Sequence, residues 1–281
     1  LLVCGLRSDQ ERYYCKPVIV EKNGFKIGML AYNWIGLEDN VDAGNHIAAI
    51  YDGAVNYSWN RNSEKDRETR RSIGNRNMKV LEDIKRLRPQ VDIIILMPHW
   101  GYEWTIYPPY GVTREAKSFI DAGADLILGS HPHVPQGIEL YRDRLIVYSM
   151  GNMLFDSSTE RFKQGMMVDC SVTSSSRTDH ELIFIDRDKY FRPMKASEPV
   201  ASVNQELVRL SSDAIASPDS EILLDDDILY REFEKQYNIL KMTKILYLIR
   251  KIPRHPFIIL PMLRKVLSLM GIIVKRFRGQ K

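Results

Sequence analysis

Three of the six histidines in this 281-residue sequence stand in places where their spacing suits metal or hydrolytic chemistry. His131 and His133 lie two apart in Gly129-Ser130-His131-Pro132-His133, and His99 opens His99-Trp100-Gly101-Tyr102-Glu103. In an extended loop, residues i and i+2 point to one side, which would bring two imidazoles to one ion. Pro132 fixes its own φ and biases His131 toward extended geometry. His99, on a neighbouring loop, would supply a third nitrogen. The candidate metal ligands are therefore His99, His131 and His133, against the plainer alternative of hydrogen-bonded loop histidines. Imidazole donors without bridging carboxylates suit a divalent Mn, Fe or Zn alike.

For these loops to meet, the strands that end in them must lie side by side. Val91 to Met97 is a continuous apolar, β-branched run bounded by Pro98, as expected of a buried parallel strand. Asp125–Leu128 and Leu145–Ser149 are two further short runs, the latter leading into Met150-Gly151-Asn152. Met78, Leu81, Ile84 and Leu87 recur at helical spacing before Pro89, and Thr113 to Ala122 reads as a second helix ended by Gly123. Strand, helix and strand in this order imply an α/β layered domain, with ligands at the carboxyl ends of the strands. Residues 17–34 read as a hairpin turning at Asn23-Gly24. Residues 38–76 read as a polar surface excursion, 165–188 as antiparallel strands, and 202–234 as a polar and acidic connection leading into helix.

These motifs carry a resemblance. His99-Trp100-Gly101-Tyr102-Glu103, Gly129-Ser130-His131-Pro132-His133 and Tyr148-Ser149-Met150-Gly151-Asn152, in this order, resemble the CapA family of bacterial capsule and poly-γ-glutamate synthesis proteins. The domain of that family is similar to the calcineurin-like metallophosphoesterases. The likeness runs from about Gly24 to Asp156 and more loosely to Asp188. It implies a layered fold with a metal site at the sheet edge and places His99, His131 and His133 at metal-binding positions. Glu103 and Asn152 become candidate catalytic residues, and Trp100, Ser130 and Tyr148 candidate substrate contacts. Glu103 would be an acid/base group, an orienting residue or a solvated carboxylate; Asn152 would equally serve as a turn residue with positive φ.

The sequence departs from the family pattern in its first half. An Asp-bearing first strand, a Gly-Asn-x-Glu motif and an Asn-His motif are missing; Asn45-His46 falls in the polar excursion, the wrong place for a ligand. The opening Leu1-Leu2-Val3-Cys4-Gly5 reads like the end of a strand, so the expectation is the carboxyl-terminal half of such a domain. A two-metal phosphoesterase needs carboxylate bridges, so three histidines alone would make a poor catalyst.

Composition excludes other classes. With 44% hydrophobic and 27% charged residues the chain is globular, and three widely spaced cysteines form no disulfide framework or metal knuckle. The net charge of +4 hides an asymmetry: residues 235–281 hold 12 Lys/Arg and no Asp or Glu, leaving 28 basic against 36 acidic residues elsewhere, net −8. The expected organisation is a CapA-like domain over 1–200, a connection over 201–234 and a basic amphipathic helical tail over 235–281. Lys241, Lys244, Arg250, Lys251, Arg264, Lys265, Lys275 and Arg276 are candidate contacts to an anionic membrane surface. The longest uncharged run there, Val266 to Val274, is nine residues, against about 20 for a spanning helix. Packing of the tail on the acidic body or on a partner subunit is the alternative; nucleic acid is not expected, for want of a reading motif.

The function expected is capsule or poly-γ-glutamate biosynthesis by metal-dependent hydrolase or transferase chemistry. Its partners would be the surface polymer (poly-γ-glutamate or capsular polysaccharide) and its synthesis machinery, in a membrane-associated or cell-surface setting. No targeting signal is visible in the sequence. The alternatives are a non-catalytic membrane-associated component of polymer assembly or export, and a general metallophosphoesterase.

Overall fold

Both faces of the central strands are apolar because both are covered. In the computed structural model of the chain, which describes residues 15–33, 78–154, 165–172, 178–188, 190 and 192–251, a six-stranded sheet is ordered β1-β2-β3-β4-β6-β5. Its strands are β1 Val18–Lys22, β2 Phe25–Asn33, β3 Ile93–His99, β4 Leu126–Leu128, β5 Ile138–Tyr141 and β6 Arg144–Val147. β2, β3, β4 and β6 run parallel, and β1 and β5 close the edges antiparallel. A second sheet joins β7 Gly165–Val172, β8 Thr178–Arg187 and β9 Pro193–Lys195, all antiparallel.

Alternation along each strand sorts the side chains to two cores. Ile94, Leu96, Ile127, Ile146 and Tyr148 pack with Val80, Ile84 and Leu87 of α1 (residues 78–87) and with Ala116, Phe119 and Ile120 of α2 (Tyr110–Asp121). Leu126, Leu145 and Val147 face the other way, onto Met166 and Phe184 of the second sheet and Val208 of α3 (Glu198–Ala216). The fold is thus α/β and layered, as expected.

Asp125 pins the end of the sheet opposite the candidate site. Its carboxylate lies 2.5 Å from Arg88 Nη1 and 3.2 Å from Arg144 Nη2, and it accepts the Ile94 N–H at 2.8 Å. Buried Asp83 on α1 accepts the Cys15 N–H and the Tyr32 hydroxyl, both at 2.8 Å, fastening the helix to β2.

Several expectations hold. The hairpin turns at Asn23 and Gly24, both with positive φ, and Pro89 sits in a 3-10 turn after α1. Others need correction. β3 does not stop before Pro98 but runs through it to His99, because the Pro98 carbonyl still accepts the Ser130 N–H at 2.9 Å. The β5–β6 hairpin was not foreseen: its turn residues, Arg142 and Asp143, take positive φ without a glycine to announce it. His180 lies within β8, paired with Cys170 of β7.

The polar stretch after residue 200 is no mere connection. α3 occupies much of it and buries Asn204, Val208, Ser211 and Ile215. Ser211 and Ser212 accept the backbone N–H groups of Gly137 and Ile138 at 2.8 and 2.9 Å. Small hydroxyls therefore do what an apolar stripe normally does, and hydrophobic periodicity alone does not reveal the helix. A short helix, α4 Ser220–Leu223, and a long one, α5 Asp226–Lys251, follow. The chain divides into two compact units, Leu1–Leu229 and Tyr230–Lys281, so α5 runs across the tail boundary expected at 235. The polar excursion over 38–76, Asn45-His46 and the opening five residues lie outside the described residues.

Gly129, just past β4, is held by close approach. A Cβ there would sit 2.1 Å from the Tyr148 carbonyl oxygen and 2.8 Å from Trp100 Nε1. Backbone cannot move aside as a flexible side chain can, so Gly129→Ala is expected to cost about 3 kcal/mol, the upper range for overpacking. Urea denaturation reads this as a lowered midpoint at unchanged slope.

Candidate functional site

The carboxyl ends of β3, β4 and β6 bring the three motif loops together, where an α/β sheet places its ligands. Backbone bonds lock them in register. Trp100 N–H donates to Ser130 O at 3.0 Å, Trp104 N–H to Pro132 O at 2.7 Å, and Met150 N–H to Gly129 O at 3.0 Å. Side chains add cross-ties: Gln136 Nε2 donates to Thr105 O at 2.9 Å and Ser149 Oγ to Val134 O at 2.8 Å. Thr105 and Gln136 were not singled out from the sequence, where nothing distinguishes them from ordinary loop residues, and Ser149 was read only as part of its motif.

The extended geometry expected of the His131–His133 loop is not what forms. His131 has φ 102° and His133 φ 61°, backbone that costs a non-glycine residue on the order of 1–3 kcal/mol. The loop tolerates it because its carbonyls are spoken for, Pro132 O by Trp104 and His133 O by Asn152 Nδ2 at 3.1 Å. Convergence of the rings thus comes from a tight turn and not from an extended i, i+2 pair. Positive φ beside Asn152 falls on Gly151, so Asn152 is not a left-handed turn residue.

Hydrogen bonds assign the ring tautomers. Asn152 Nδ2 donates to His133 O, so its Oδ1 is oriented to accept from His133 Nδ1 at 2.9 Å, leaving His133 Nε2 with the lone pair. Ser130 Oγ donates to Pro98 O at 3.3 Å and therefore accepts from His99 Nδ1 at 3.1 Å. His99 Nε2 then accepts from His131 Nδ1 at 3.1 Å, and the lone pair of His131 falls on Nε2. The His99 and His131 rings meet edge to face, centroids 4.7 Å apart.

Burial keeps these rings neutral. It pushes His131 down to about 2, with the neighbouring imidazoles His99 and His133 adding to the effect. His99 is lowered to about 4, again chiefly by burial and then by His133. A neutral imidazole is the form that binds a metal.

Glu103 enters the cluster from the first loop, its Oε1 3.8 Å from His133 Nε2. Among the described residues, the group whose ligand atoms could share one ion is Glu103, His131 and His133, all within 4.8 Å of one another. The carboxylate thus stands where His99 was expected as third ligand, while His99 lies behind His131 with its Nε2 engaged by that ring.

Two expected substrate contacts are corrected. Trp100 is 1% exposed and Tyr148 fully buried. Trp100 Nε1 donates to Tyr148 O at 2.9 Å, the rings stack at 6.3 Å, and Tyr148 Oη donates to Glu139 at 2.8 Å. They support the loops from below, because their aromatic bulk is worth more in the core than at a solvent edge. Ser130 remains half-buried at the site. Exposed Met153 and Leu154 follow Asn152 directly in the chain. Of the expected membrane contacts, Lys241, Lys244, Arg250 and Lys251 lie on α5, whereas Arg264, Lys265, Lys275 and Arg276 lie outside the described residues.

Known proteins are similar to this chain. The CapA protein of poly-γ-glutamate biosynthesis from Bacillus subtilis strain 168 is 31% identical over 146 residues, 51% of this chain and 38% of that protein. The capsule biosynthesis protein CapA of Bacillus anthracis is 40% identical over 77 residues, 27% of this chain and 19% of that one. The matched segments thus span less than half of either relative. A Staphylococcus aureus crystal structure, provisionally assigned as a 5'-nucleotidase, aligns over 73% of this chain and 36% of its own at 13% identity and a TM-score of 0.37, too slight to carry an argument. The family model described as "Bacterial capsule synthesis protein PGA_cap" matches residues 1–157. That stretch is more than half of the sequence and contains every histidine, carboxylate and amide of the site, so the chain belongs to the bacterial capsule synthesis protein PGA_cap family.

Proposed function

We propose that the chain serves the synthesis of a bacterial surface polymer, poly-γ-glutamate or capsular polysaccharide, through one divalent metal ion held by Glu103, His131 and His133. The observation that supports this is the convergence of one carboxylate and two imidazoles whose proton positions are set by neighbours. Asn152 holds His133 with Nε2 toward Glu103, and the Ser130–His99 pair does the same for His131. Such neighbours raise ligand basicity and fix ring orientation. Two neutral donors and one anion make a mixed nitrogen and oxygen set that suits Mn, Fe or Zn. When bound, the ion would act as a Lewis acid and lower the pKa of a coordinated water for hydrolase or transferase chemistry.

Among the described residues no second ligand group stands ready for another ion. That observation favours a second reading, a non-catalytic component of polymer assembly at a membrane or cell surface. The remaining alternative, a general two-metal phosphoesterase, needs carboxylate bridges to hold its second ion.

Calorimetric titration of the purified chain with Mn²⁺ and Zn²⁺ is expected to give one saturable site. His131→Ala, His133→Ala and Glu103→Gln should each weaken it at least about tenfold, and Asn152→Ala by roughly 10–100-fold, as removal of a ligand's orienting partner does. Unchanged affinity in the His131→Ala/His133→Ala double variant defeats the metal assignment. The same double variant, expressed in a polymer-producing host, separates the readings: loss of polymer with folded protein supports catalysis, and normal polymer supports the assembly role.

Metal-free protein should also lose stability on acidification. His99 and His131 titrate near 4 and 2 when folded, against 6.5 when exposed. Between pH 6.5 and about 4 the unfolded chain therefore binds more protons than the folded one, and stability falls as pH drops. Urea midpoints measured at pH 7.5, 6 and 5 should fall (roughly, over the window set by those values), and His99→Gln should flatten the slope.

A further inference from the structure

Trp104 belongs neither to the two apolar cores nor to the candidate ligand set. Trp100, on the same loop, is buried beneath the site, whereas Trp104 is half-buried. Its backbone takes φ 65°, a region where a bulky residue is an outlier and a glycine is at ease. The chain is pinned there from both sides. The Trp104 N–H donates to Pro132 O at 2.7 Å, and Thr105 O accepts Gln136 Nε2 at 2.9 Å. Backbone strain of this kind, on a large aromatic residue that the core does not use, points to a role for the side chain itself.

Trp104 is rooted beside the candidate ligands. Glu103 precedes it, with Oε1 3.8 Å from His133 Nε2, and Pro132, which accepts its N–H, separates His131 from His133. On another of the three loops Asn152 holds His133, and the next two residues, Met153 and Leu154, are exposed. The three loops, residues 98–109, 129–137 and 148–154, contain one carboxylate, Glu103, and no lysine or arginine. A ligand against them gains from apolar contact and hydrogen bonds. A chain with a carboxylate on every residue would instead meet Glu103, with no cationic side chain of these loops to pair it. A sugar ring has the matching chemistry: a face of C–H groups for the indole, hydroxyls for polar neighbours, and no charge to desolvate. We propose that Trp104, with Met153 and Leu154, forms a subsite for an uncharged sugar ring of the polymer beside the Glu103, His131 and His133 cluster. The inference rests on the surface-polymer reading and selects polysaccharide from its two polymers. Trp104 takes over the substrate contact expected of Trp100.

The test is calorimetric titration of the full chain with two neutral probes, maltotriose and the N-acetylglucosamine trimer, and with a γ-linked glutamate trimer. Indole emission is followed in parallel. At least one neutral probe is expected to bind saturably and to shift the emission, and the glutamate trimer is not. Trp104→Gly, which keeps the backbone N–H and suits φ 65°, should weaken sugar binding about tenfold. Trp104→Phe keeps an aromatic face and should stay within about threefold of the parent by calorimetry, yet lose the emission change. A purely structural role for Trp104 does not give that split. Sugar binding should persist in the His131→Ala/His133→Ala variant, so a chain that binds sugar but no metal supports the subsite and retires the metal assignment alone. No saturable binding of either neutral probe overturns the subsite, whatever the metal titration shows. Equal sugar affinity in Trp104→Gly, or Trp104-dependent binding of the glutamate trimer in place of the sugars, overturns it as well.

Discussion

The carbonyl of Tyr148 accepts the indole N–H of Trp100 at 2.9 Å, and Gly129 passes so close to the same peptide that a Cβ would meet its oxygen at 2.1 Å. Through this one peptide the ends of β3, β4 and β6 are fastened to one another. His99, His131 and Asn152 lie within four residues of the three contacts, so their mutual distances follow from it. The energetic source is ordinary: aromatic burial beneath the loops and satisfied backbone polar groups, neither of which depends on what the site binds. At the opposite end, Asp125 between Arg88 and Arg144 keeps the same strands from splaying.

On that frame the molecule accepts local costs. Trp104, His131 and His133 hold positive φ without being glycine, and two imidazoles sit where water is too scarce to favour their charge. Strain and desolvation of this kind persist only where the surroundings over-determine them, and they cluster at functional sites. Both costs meet on His131, one of the residues that would hold an ion. The neutral state of the rings and the direction of their lone pairs are settled by burial, by Ser130 and by Asn152. The protein itself prepares the donors.

Charge divides the chain in a second way. Three carboxylates of the α/β unit are spent on internal ties: Asp83 to Cys15 and Tyr32, Asp125 to two arginines, Glu139 to Tyr148 and Lys117. Beyond residue 234 no acid is present to neutralise the lysines and arginines. One part of the sequence mixes charges of both signs, and the other carries positive charge alone.

The sequence by itself determined the layered class, the parallel strands and the loops that carry chemistry. Those signals are local: continuous β-branched runs, helical spacing, and histidines placed directly after strand ends. Family membership was equally readable, since it rests on motif order. What the tertiary structure decided was which of those residues face one another. Glu103 joins His131 and His133 only because Trp104 is bonded to Pro132 across two loops. His99 drops behind His131 because Ser130 orients it, and Trp100 and Tyr148 turn inward because α1 and α2 cover their face of the sheet. Helix α3 was hidden because serines, and not leucines, fasten its buried side to Gly137 and Ile138. Spacing along a chain sets the period of a side chain's direction; the partner that fills that direction comes from residues 30 to 70 positions away, and only the fold selects it.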